Sequence, residues 1–474
     1  MVDTLIRGGT VVTPDGTGQW DVAIDGETIA GVAPSGTYRA DIGRTIDATG
    51  KIVVPGGIDP HVHTNWPVPG PGGKRIINAP PPGVSRAALY GGTTTLIDFA
   101  VVEPHASIAD VVAAKLATWA ESYTDHTVHV LLHGAAPKAI LEQIPETISE
   151  GFTSFKLFTT DVKPARKGLM LRFGDIWELM KVVSRHNGIL AVHAEDNDIV
   201  MHLYDKFTEA GDLSYKNLPA IHNDISEDLS FRRIIGLAQY VEGAALYMMH
   251  VSAATGVEAI AEARGRGLPI YGETLHNFAA FTADDYLKPD GVIYHTHPSI
   301  KHDKDRQRLW RGLKEGTLST MATDESCTPK AIKVSGQTIL DTVGGQVGVE
   351  TRVAIAYTEG VVKRGLSLEQ FVGVISANAA KLCGLYPKKG AIAEGSDADI
   401  TIIDPSIRRV LRAADLHDSD YSIWEGWEVH GWPVTTLLRG RVAVENGVFK
   451  LDTAAGRPVS ARKMASELQD GPRV

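Results

Sequence analysis

Short apolar runs at nearly regular spacing dominate the middle of the chain. Between residues 51 and 387 these runs alternate with segments of helical periodicity, such as Ile108–Ser122 and Leu229–Tyr240. Strands covered by helices on both faces have this nearly continuous apolar character, because neither face meets water. The pattern predicts a (β/α)8 TIM barrel over residues 55–387. Its eight predicted strands are Ile52–Ile58, Thr94–Phe99, Val128–Leu132, Ser154–Phe158, Ile189–Val192, Ala245–Val251, Pro269–Glu273 and Ser319–Thr323.

Both ends of the chain have a different pattern, in which short β-like runs are separated by tight turns. The first 50 residues contain Leu5–Gly8, Thr10–Thr13, Trp20–Ile24 and Thr28–Val32, with turns at Asp15-Gly16, Asp25-Gly26 and Pro34-Ser35-Gly36. The pattern returns in Lys389–Ile392, Ala398–Ile403, Val429–Leu438 and Arg441–Val444. We therefore predict that residues 1–54 and 388–450 jointly form a small β-sandwich domain. Residues 451–474 are polar and aperiodic, and are expected to form a flexible or partner-wrapping C-terminal tail.

A proline- and glycine-rich stretch follows the first predicted barrel strand. It covers residues 64–73, including Trp66, and is followed by Pro80-Pro81-Pro82-Gly83. Such sequences are excluded from helix interiors and central strands. Its position makes the stretch a candidate lid over the mouth of the barrel, and a passive surface loop is the alternative.

Composition narrows the functional classes. Of 474 residues, 47 are Lys or Arg and 57 are Asp or Glu, which gives a net charge of −10. An apolar content of 43% excludes a disordered chain, and the negative charge without a basic stripe argues against nucleic-acid binding. No secretory leader and no run approaching the ~18 apolar residues of a membrane span is evident. Two cysteines cannot form a disulfide framework, so a reducing cytoplasmic location is expected.

The sequence His61-Val62-His63 ends the first predicted barrel strand. Side chains alternate along a strand, so both imidazoles point the same way. At the carboxyl end of a barrel strand they face the mouth, where such barrels hold their active sites. Two converging imidazoles suit a borderline-soft divalent cation.

Three more polar residues lie at the ends of other predicted strands. His193 lies at the end of the fifth, His250 at the end of the sixth and Asp324 at the end of the eighth. Each one closes an otherwise apolar run. A barrel core offers few polar partners, so their recurrence at equivalent positions indicates one shared site.

Lys156 lies inside the fourth predicted strand, between Phe155 and Leu157. Burial lowers the pKa of a lysine and favours the neutral amine. A neutral amine can add CO2 to form a carbamate, which would bridge two cations. Two alternatives are a Schiff-base lysine and a lysine that extends to the strand end and pairs with an acid.

These groups are more ligands than a single tetrahedral zinc ion can bind. They fit two cations, with His61, His63 and Asp324 on one, His193 and His250 on the other, and Lys156 shared. A bridging water would become the hydroxide nucleophile, and Asp324 would act as the proton shuttle to the leaving nitrogen. This chemistry hydrolyses a C–N amide bond.

The order of motifs resembles the amidohydrolase superfamily, and within it the cyclic amidases of the hydantoinase and dihydropyrimidinase group. The resemblance covers roughly residues 1–450. It rests on 55–63 (PGGIDPHVH), 154–156 (SFK), 192–195 (VHAE), 250–252 (HVS), 271–274 (YGET), 323–324 (TD), 348–352 (GVETR), 380–387 (AKLCGLYP) and 395–399 (GSDAD).

The resemblance implies a binuclear centre, usually of zinc, with a carboxylated lysine at position 156. It also implies ring opening of a cyclic amide, ureide or imide by a homotetramer or dimer. The metal-ligand roles fall on His61, His63, Lys156, His193, His250 and Asp324.

The substrate pocket departs from the family pattern. The family's tyrosine, five residues after the lysine, is Asp161 here, and a serine before a proline pair is replaced by His297. The usual His-Cys-Pro after the metal-binding aspartate is 325–327 (ESC), and a substrate-contacting asparagine is replaced by Gly344 or Gly345. Asp161, His297, Trp66 and Gly345 are thus candidate substrate contacts, His295 is a further one, and the preferred ring is expected to differ from simple hydantoin or dihydrouracil. Alternatively, Asp161 is a solvated loop residue near Lys163 and Arg166.

Two other functional classes remain open at this point. Relatives with the same fold act as non-catalytic scaffolds, but they have lost most of the metal ligands that this chain keeps. A Schiff-base lyase acting through Lys156 would need no metal. The remaining histidines, including His105, His126, His186 and His222, lie in no supporting pattern and are expected at the surface or around the site.

Overall fold

The computed structural model describes residues 2–39, 42–69, 75–460, 464 and 466–471. Two large sheets organise these residues, one an eight-stranded barrel and the other a nine-stranded sheet made from both chain ends. Both predicted architectural units are therefore confirmed. Residues 70–73 of the candidate lid lie outside the described residues.

The barrel sheet has the order β15-β14-β13-β12-β11-β10-β9-β6, and all its neighbouring strands are parallel. Each of the eight apolar runs contributes to it. The barrel strands are β6 (Gly57–Asp59), β9 (Thr93–Val102), β10 (Asp125–Leu132), β11 (Ser154–Phe158), β12 (Ile189–His193), β13 (Leu246–Met248), β14 (Ile270–Leu275) and β15 (Thr320–Ala322).

Helices cover the outside of the barrel, and the main hydrophobic core lies between them and the strands. The α-helices are α1 (Pro81–Tyr90), α2 (Ile108–Ala117), α3 (Lys138–Leu141), α4 (Ile144–Ser149), α5 (Phe173–Arg185), α6 (Asn197–Glu209), α7 (Leu218–Ile221), α8 (Asp224–Ala238), α9 (Ala254–Gly265), α10 (Asp303–Glu315), α11 (Lys330–Lys333), α12 (Arg352–Ile355), α13 (Leu368–Val372), α14 (Asn378–Leu382) and α15 (Ser466–Gln469). Short 3-10 segments occur at Pro164–Arg166, Tyr215–Asn217, Ala283–Leu287, Gly291–Tyr294 and Ala413–Asp415, and π-helical segments at Ala356–Val362 and Gly373–Ala377.

The second sheet is the sandwich, with the order β19-β18-β17-β16-β5-β1-β2-β3 and β4 paired to β1. Its interior is an apolar cluster to which both chain ends contribute, including Ile6, Val22, Ile400 and Leu437. Its strands are β1 (Val2–Thr13), β2 (Gly16–Asp25), β3 (Thr28–Pro34), β4 (Ile42–Asp47), β5 (Ile52–Pro55), β16 (Ile400–Val410), β17 (Glu428–Leu438), β18 (Arg441–Glu445) and β19 (Val448–Phe449).

The predicted strand Ile52–Ile58 is divided between the two sheets. β5 pairs with β1 and β16 in the sandwich, whereas β6 pairs with β9 in the barrel. Gly56 separates them, and a Cβ atom there would lie 2.2 Å from Oγ1 of Thr94. This close approach requires glycine where the chain passes from one sheet to the other.

The predicted strand Lys389–Ile392 is wrong, because this segment is irregular in the structure. The ammonium group of Lys389 is buried and lies 2.5 Å from Asp125, 2.8 Å from Asp397 and 2.7 Å from Asp399. Asp125 begins barrel strand β10, so Lys389 connects the barrel to the sandwich. The need to bury and pair this charge overrides the local β-like pattern.

The segment with three consecutive prolines also differs from expectation, and part of the C-terminal tail is buried. α1 begins at Pro81, because proline is tolerated in the first turn of a helix. Within the candidate lid, β7 (Pro67–Pro69) pairs antiparallel with β8 (Arg75–Ile77), which follows the lid in sequence. Among the described residues after 450, Val459, Met464 and Leu468 are buried, and Tyr271 donates a hydrogen bond to the Leu468 carbonyl. Among the helices of the described residues, none has the length and apolar character needed to cross a bilayer.

Candidate metal centre

The barrel closes at its carboxyl end through the residues that carry the first histidine motif. Val62 and Glu325 form a parallel bridge, in which the His63 amide donates to the Glu325 carbonyl at 2.7 Å. This bridge joins the end of the first barrel strand to the residue after Asp324. The closure of the barrel therefore brings together groups that are more than 260 positions apart in the sequence.

His61, His63 and Asp324 form a compact group of potential metal ligands. One ligand atom from each lies within 4.8 Å of the others. Oδ1 of Asp324 is 3.2 Å from Nε2 of His61 and 3.0 Å from Nε2 of His63. Two imidazole nitrogens and a carboxylate oxygen converging in this way have the donor set of a transition-metal site.

The carboxylate of Glu273, on β14, fixes one of these imidazoles from behind. Its Oε1 atom accepts hydrogen bonds from Nδ1 of His61 at 2.7 Å and from the backbone amide of His250 at 3.1 Å. Tyr247 donates to Oε2 at 2.7 Å. This arrangement places the proton of His61 on Nδ1 and leaves Nε2 as a free electron-pair donor.

His193 and His250 form a second pair of imidazoles beside the first group. Their ring centroids are 4.4 Å apart, and the ring of His250 lies 5.5 Å from that of His61. Nε2 of His193 bonds Glu195 at 2.8 Å, so Nδ1 is the nitrogen left to act as a ligand. Glu195 also accepts from His222 at 2.8 Å, which fixes the carboxylate in turn.

Lys156 on β11 points into the same space from the barrel wall. Its side chain is 1% exposed, and Nζ lies 2.9 Å from Sδ of Met249 and 5.2 Å from the centroid of the Phe158 ring. Burial lowers the pKa of Lys156 to about 7. No ion pair to Lys156 is found among the described residues, so a large fraction of this amine is uncharged at neutral pH.

Burial also keeps the imidazoles of His61, His193 and His250 uncharged. It lowers the pKa of His193 to about 4, and those of His61 and His250 well below the ordinary histidine value. Burial alone would raise the pKa of Asp324, but its proximity to His61 and His63 lowers that pKa to about 2. The site thus presents neutral nitrogen donors and an ionised carboxylate, the protonation states that bind a cation.

Among the described residues, several donor atoms at this site lack a hydrogen-bond partner, as residues that hold a pair of metal ions should. Both Glu-supported imidazoles keep one unprotonated nitrogen for a ligand, and Nδ1 of His63 is buried without a hydrogen-bond partner. The amine of Lys156 has only a weak sulfur acceptor near it. Bound cations would therefore satisfy these donor atoms better than the contacts that the side chains make with one another.

The candidate substrate contacts differ in what they touch around this group of ligands. The Trp66 ring lies 4.8 Å from the ring of His63, and His297 bonds His295, its ring nitrogens 3.2 Å apart. Gly345 has a φ of 101°, and a Cβ atom there would lie 2.5 Å from Ser326, two residues after Asp324. All three residues border the mouth of the barrel.

Asp161 occupies a different environment from the one expected. It is buried rather than solvated, and its Oδ1 atom accepts hydrogen bonds from the amides of Gly168 at 3.0 Å and Met170 at 3.1 Å. Its side chain thus closes the loop that follows β11.

Sequence patterns alone gave no role to several groups that support the site. Glu273 and Glu195 stand inside quoted motifs but carry no ligand spacing, and His222 was expected only at the surface or around the site. His129, at the barrel interior, bonds the Pro60 carbonyl at 2.8 Å and Ser154 at 2.7 Å. Apolar strands interrupted by an inward-facing carboxylate were the signal that could have identified Glu273.

Comparison with known proteins agrees with this geometry. The sequence model described as "Amidohydrolase family" matches residues 52–443. The chain belongs to the amidohydrolase family.

Within that family, the similar proteins include two bacterial enzymes named D-hydantoinase. The one from Geobacillus stearothermophilus is 34% identical over 98% of each chain, and the one from Ralstonia pickettii is 32% identical over 98% of this chain and 99% of its own. The crystal structure of dihydropyrimidinase from Brevibacillus agri covers 98% of this chain and 100% of its own, with a TM-score of 0.91 at 32% identity. The likeness therefore extends over both domains of the fold.

Proposed function

We propose that this protein is a metal-dependent hydrolase that opens the ring C–N bond of a cyclic amide, ureide or imide, as a hydantoinase or dihydropyrimidinase does. The observation that carries the proposal is the convergence of His61, His63 and Asp324 next to the buried amine of Lys156. Full-length similarity to enzymes named D-hydantoinase supports the choice of reaction.

Two divalent cations, of which zinc suits the donors best, are the proposed cofactors. His61, His63 and Asp324 would hold one, and His193 and His250 the other. Lys156, as N6-carboxylysine, would be shared between them. The neutral Lys156 amine supports this modification, because only the unprotonated form adds CO2.

When bound, the ions would polarise the substrate carbonyl and lower the pKa of the attacking water. Asp324 accepts the proton that water loses as its oxygen bonds to the carbonyl carbon. The same carboxyl group then delivers that proton to the ring nitrogen as the C–N bond breaks. The products are a carboxylic acid and the freed nitrogen on one open chain, and the acid then releases its proton to solvent to become a carboxylate, so atoms and charge balance.

The remaining assignments follow from position. Trp66, His297, Gly345 and Asp161 are proposed substrate contacts, and Asp161 also closes the loop that follows β11. We propose a homotetramer or dimer in a reducing, cytoplasmic location, for which the two buried, unpaired cysteines are suited.

The test is a panel of cyclic ureides, imides and lactams assayed with protein of measured metal content. We expect about two divalent ions per chain, turnover of at least one ring, and loss of turnover after chelation. Purified protein that binds no divalent ion would favour the scaffold alternative. Metal-independent trapping of a carbonyl compound on Lys156 by borohydride would favour the Schiff-base alternative.

A further inference from the structure

The loop between β11 and α5 is held in a fixed shape at the mouth of the barrel. Asp161 accepts the amides of Gly168 and Met170, and the amide of Leu171 donates to the Phe158 carbonyl at 3.0 Å. Val162 has a φ of 67°, which is unusual for a β-branched residue. A strained turn within a loop held by several hydrogen bonds indicates that the turn is needed to set the direction of the residues that follow it.

That turn places the guanidinium group of Arg166 next to the candidate metal centre. Its central carbon lies 5.6 Å from the centroid of the Phe158 ring. Other neighbours of the same ring are the imidazole of His193, at 4.9 Å between centroids, and Nζ of Lys156, at 5.2 Å from the ring centroid. The charge of Arg166 lowers the pKa of both groups, in each case adding to the larger effect of burial.

The guanidinium group of Arg166 makes no hydrogen bond or ion pair with any residue that the structure describes. Its charge is only partly offset at longer range, by Asp324 and Asp161. Since Oδ1 of Asp161 is engaged by two amides, and Asp324 by two histidines, neither carboxylate binds the guanidinium. A half-buried arginine with unused donors is available to a ligand.

Lys163, three residues earlier, adds a second cation to the same region. It is 4% exposed, and among the described residues its ammonium group makes one hydrogen bond, to the Thr342 carbonyl at 3.3 Å. It has no acidic partner in ion-pair contact among the described residues. Its charge, like that of Arg166, contributes to lowering the pKa of His297, beyond the dominant effect of burial.

We propose that Arg166 and Lys163 bind a carboxylate carried on the substituent of the substrate ring, so that the enzyme prefers acidic cyclic amides to neutral ones. This inference rests on the proposed function. The planar guanidinium matches a carboxylate with two parallel hydrogen bonds, and Lys163 supplies further positive charge. An oxyanion at the hydrolysed carbonyl would need one donor, whereas this region holds two unpaired cations.

The experiment compares hydantoin-5-acetic acid with its neutral analogue hydantoin-5-acetamide on the metal-loaded enzyme. We expect a higher kcat/KM for the acid, with an advantage that decreases as ionic strength rises. Arg166→Gln should reduce the acid-to-amide ratio of kcat/KM by about 10–100-fold, mainly through KM, and Lys163→Gln should reduce it less. Arg166→Lys should recover part of the ratio.

The control variant is Lys167→Gln, which removes an exposed cation from the same loop and should leave the ratio unchanged. Equal kcat/KM for the acid and the amide would overturn the inference while leaving the proposed function intact. An equal fall in kcat for both rings in Arg166→Gln would show an oxyanion role instead and would also overturn it. If neither ring is opened and no other cyclic amide is either, the proposed function fails and this inference with it.

Discussion

Nδ1 of His61 lies 2.7 Å from Oε1 of Glu273, and this contact ties a candidate metal ligand to the adjoining part of the barrel wall. The same oxygen accepts the backbone amide of His250, a ligand of the second proposed ion. One carboxylate thus positions residues from both halves of the proposed centre. It is itself held by Tyr247, so its orientation is fixed before any metal binds.

Glu273→Gln should therefore weaken metal binding without unfolding the protein. The amide keeps the size of the side chain but no longer stabilises the Nδ1 proton of His61 with a charge. Loss of such a supporting group costs about 10–100-fold in metal affinity. Metal content after dialysis against a graded series of chelator concentrations, measured by elemental mass spectrometry, checks this prediction.

Glu242→Gln is the matched control for Glu273→Gln, because Glu242 is exposed and is neither a proposed ligand nor a hydrogen-bond partner of one. It should retain the metal content of the natural sequence. Unchanged metal affinity in Glu273→Gln would show that the His61 contact is not needed to prepare the ligand.

Lys156→Ala should lose most of the activity and one or both metal ions. The substitution removes the amine that would carry the carbamate, and nothing else at the described site offers an equivalent bridging anion. A short carboxylic acid such as propionate should restore part of the activity by occupying the vacated space. Intact-protein mass spectrometry in bicarbonate should also detect one added CO2 in the natural sequence and none in the variant.

Lys216→Ala removes an exposed lysine and serves as the control for these measurements. Full activity in Lys156→Ala, with two metal ions retained, would contradict the bridging role. Restoration by propionate distinguishes a missing carboxylate from a general defect in folding.

Asp324→Asn should abolish catalysis more completely than it abolishes metal binding. An amide can still lie near His61 and His63, but it cannot accept a proton from water or deliver one to the leaving nitrogen. General acid–base groups contribute about 10²–10⁴-fold to rate, so kcat should fall by about that factor. Parallel measurement of kcat and metal content checks this, and a variant with near-natural kcat would remove Asp324 from its assigned role.

The fold was predictable because its units repeat a simple pattern. The barrel strands are built on nearly continuous apolar runs, and the candidate ligands other than Lys156 are polar residues at or just beyond the ends of those runs. Gly56 and Lys389 show where this approach stops. The close approach of Thr94 to Gly56 and the three carboxylates around Lys389 involve residues far apart in the sequence, so no local pattern could reveal them.

The candidate site was predictable from the sequence to about the same extent as the fold. His61, His63 and Asp324 are brought together as the strand ends suggested, but Glu273 and Arg166 depend on the path of the backbone. Asp161 was interpreted from its place in a family pattern, whereas its surroundings give it the task of closing a loop. Sequence motifs therefore locate the functional residues at strand ends, whereas the roles of loop residues depend on tertiary contacts.

His129 gives a prediction about stability and pH. Its Nε2 atom donates to the Pro60 carbonyl and its Nδ1 atom accepts from Ser154, so the neutral imidazole satisfies both contacts. Burial lowers the pKa of His129 to about 4, whereas the unfolded chain has the ordinary value of about 6.5. Between these two values the unfolded state binds more protons, so the free energy of unfolding rises with pH.

The contribution of His129 should be fully present above pH of about 6.5 and should be lost as the pH falls toward about 4, up to ~3 kcal/mol in all. His129→Gln keeps a donor and an acceptor but cannot titrate. We expect it to be less stable than the natural sequence at neutral pH and to lose less stability on acidification. Urea unfolding of both proteins at matched metal content, from pH of about 7 down to about 4.5, gives the two slopes. Because proton competition at the metal ligands acts on both proteins, the difference between the slopes isolates His129, and equal slopes would show that its imidazole does not oppose protonation in the folded state.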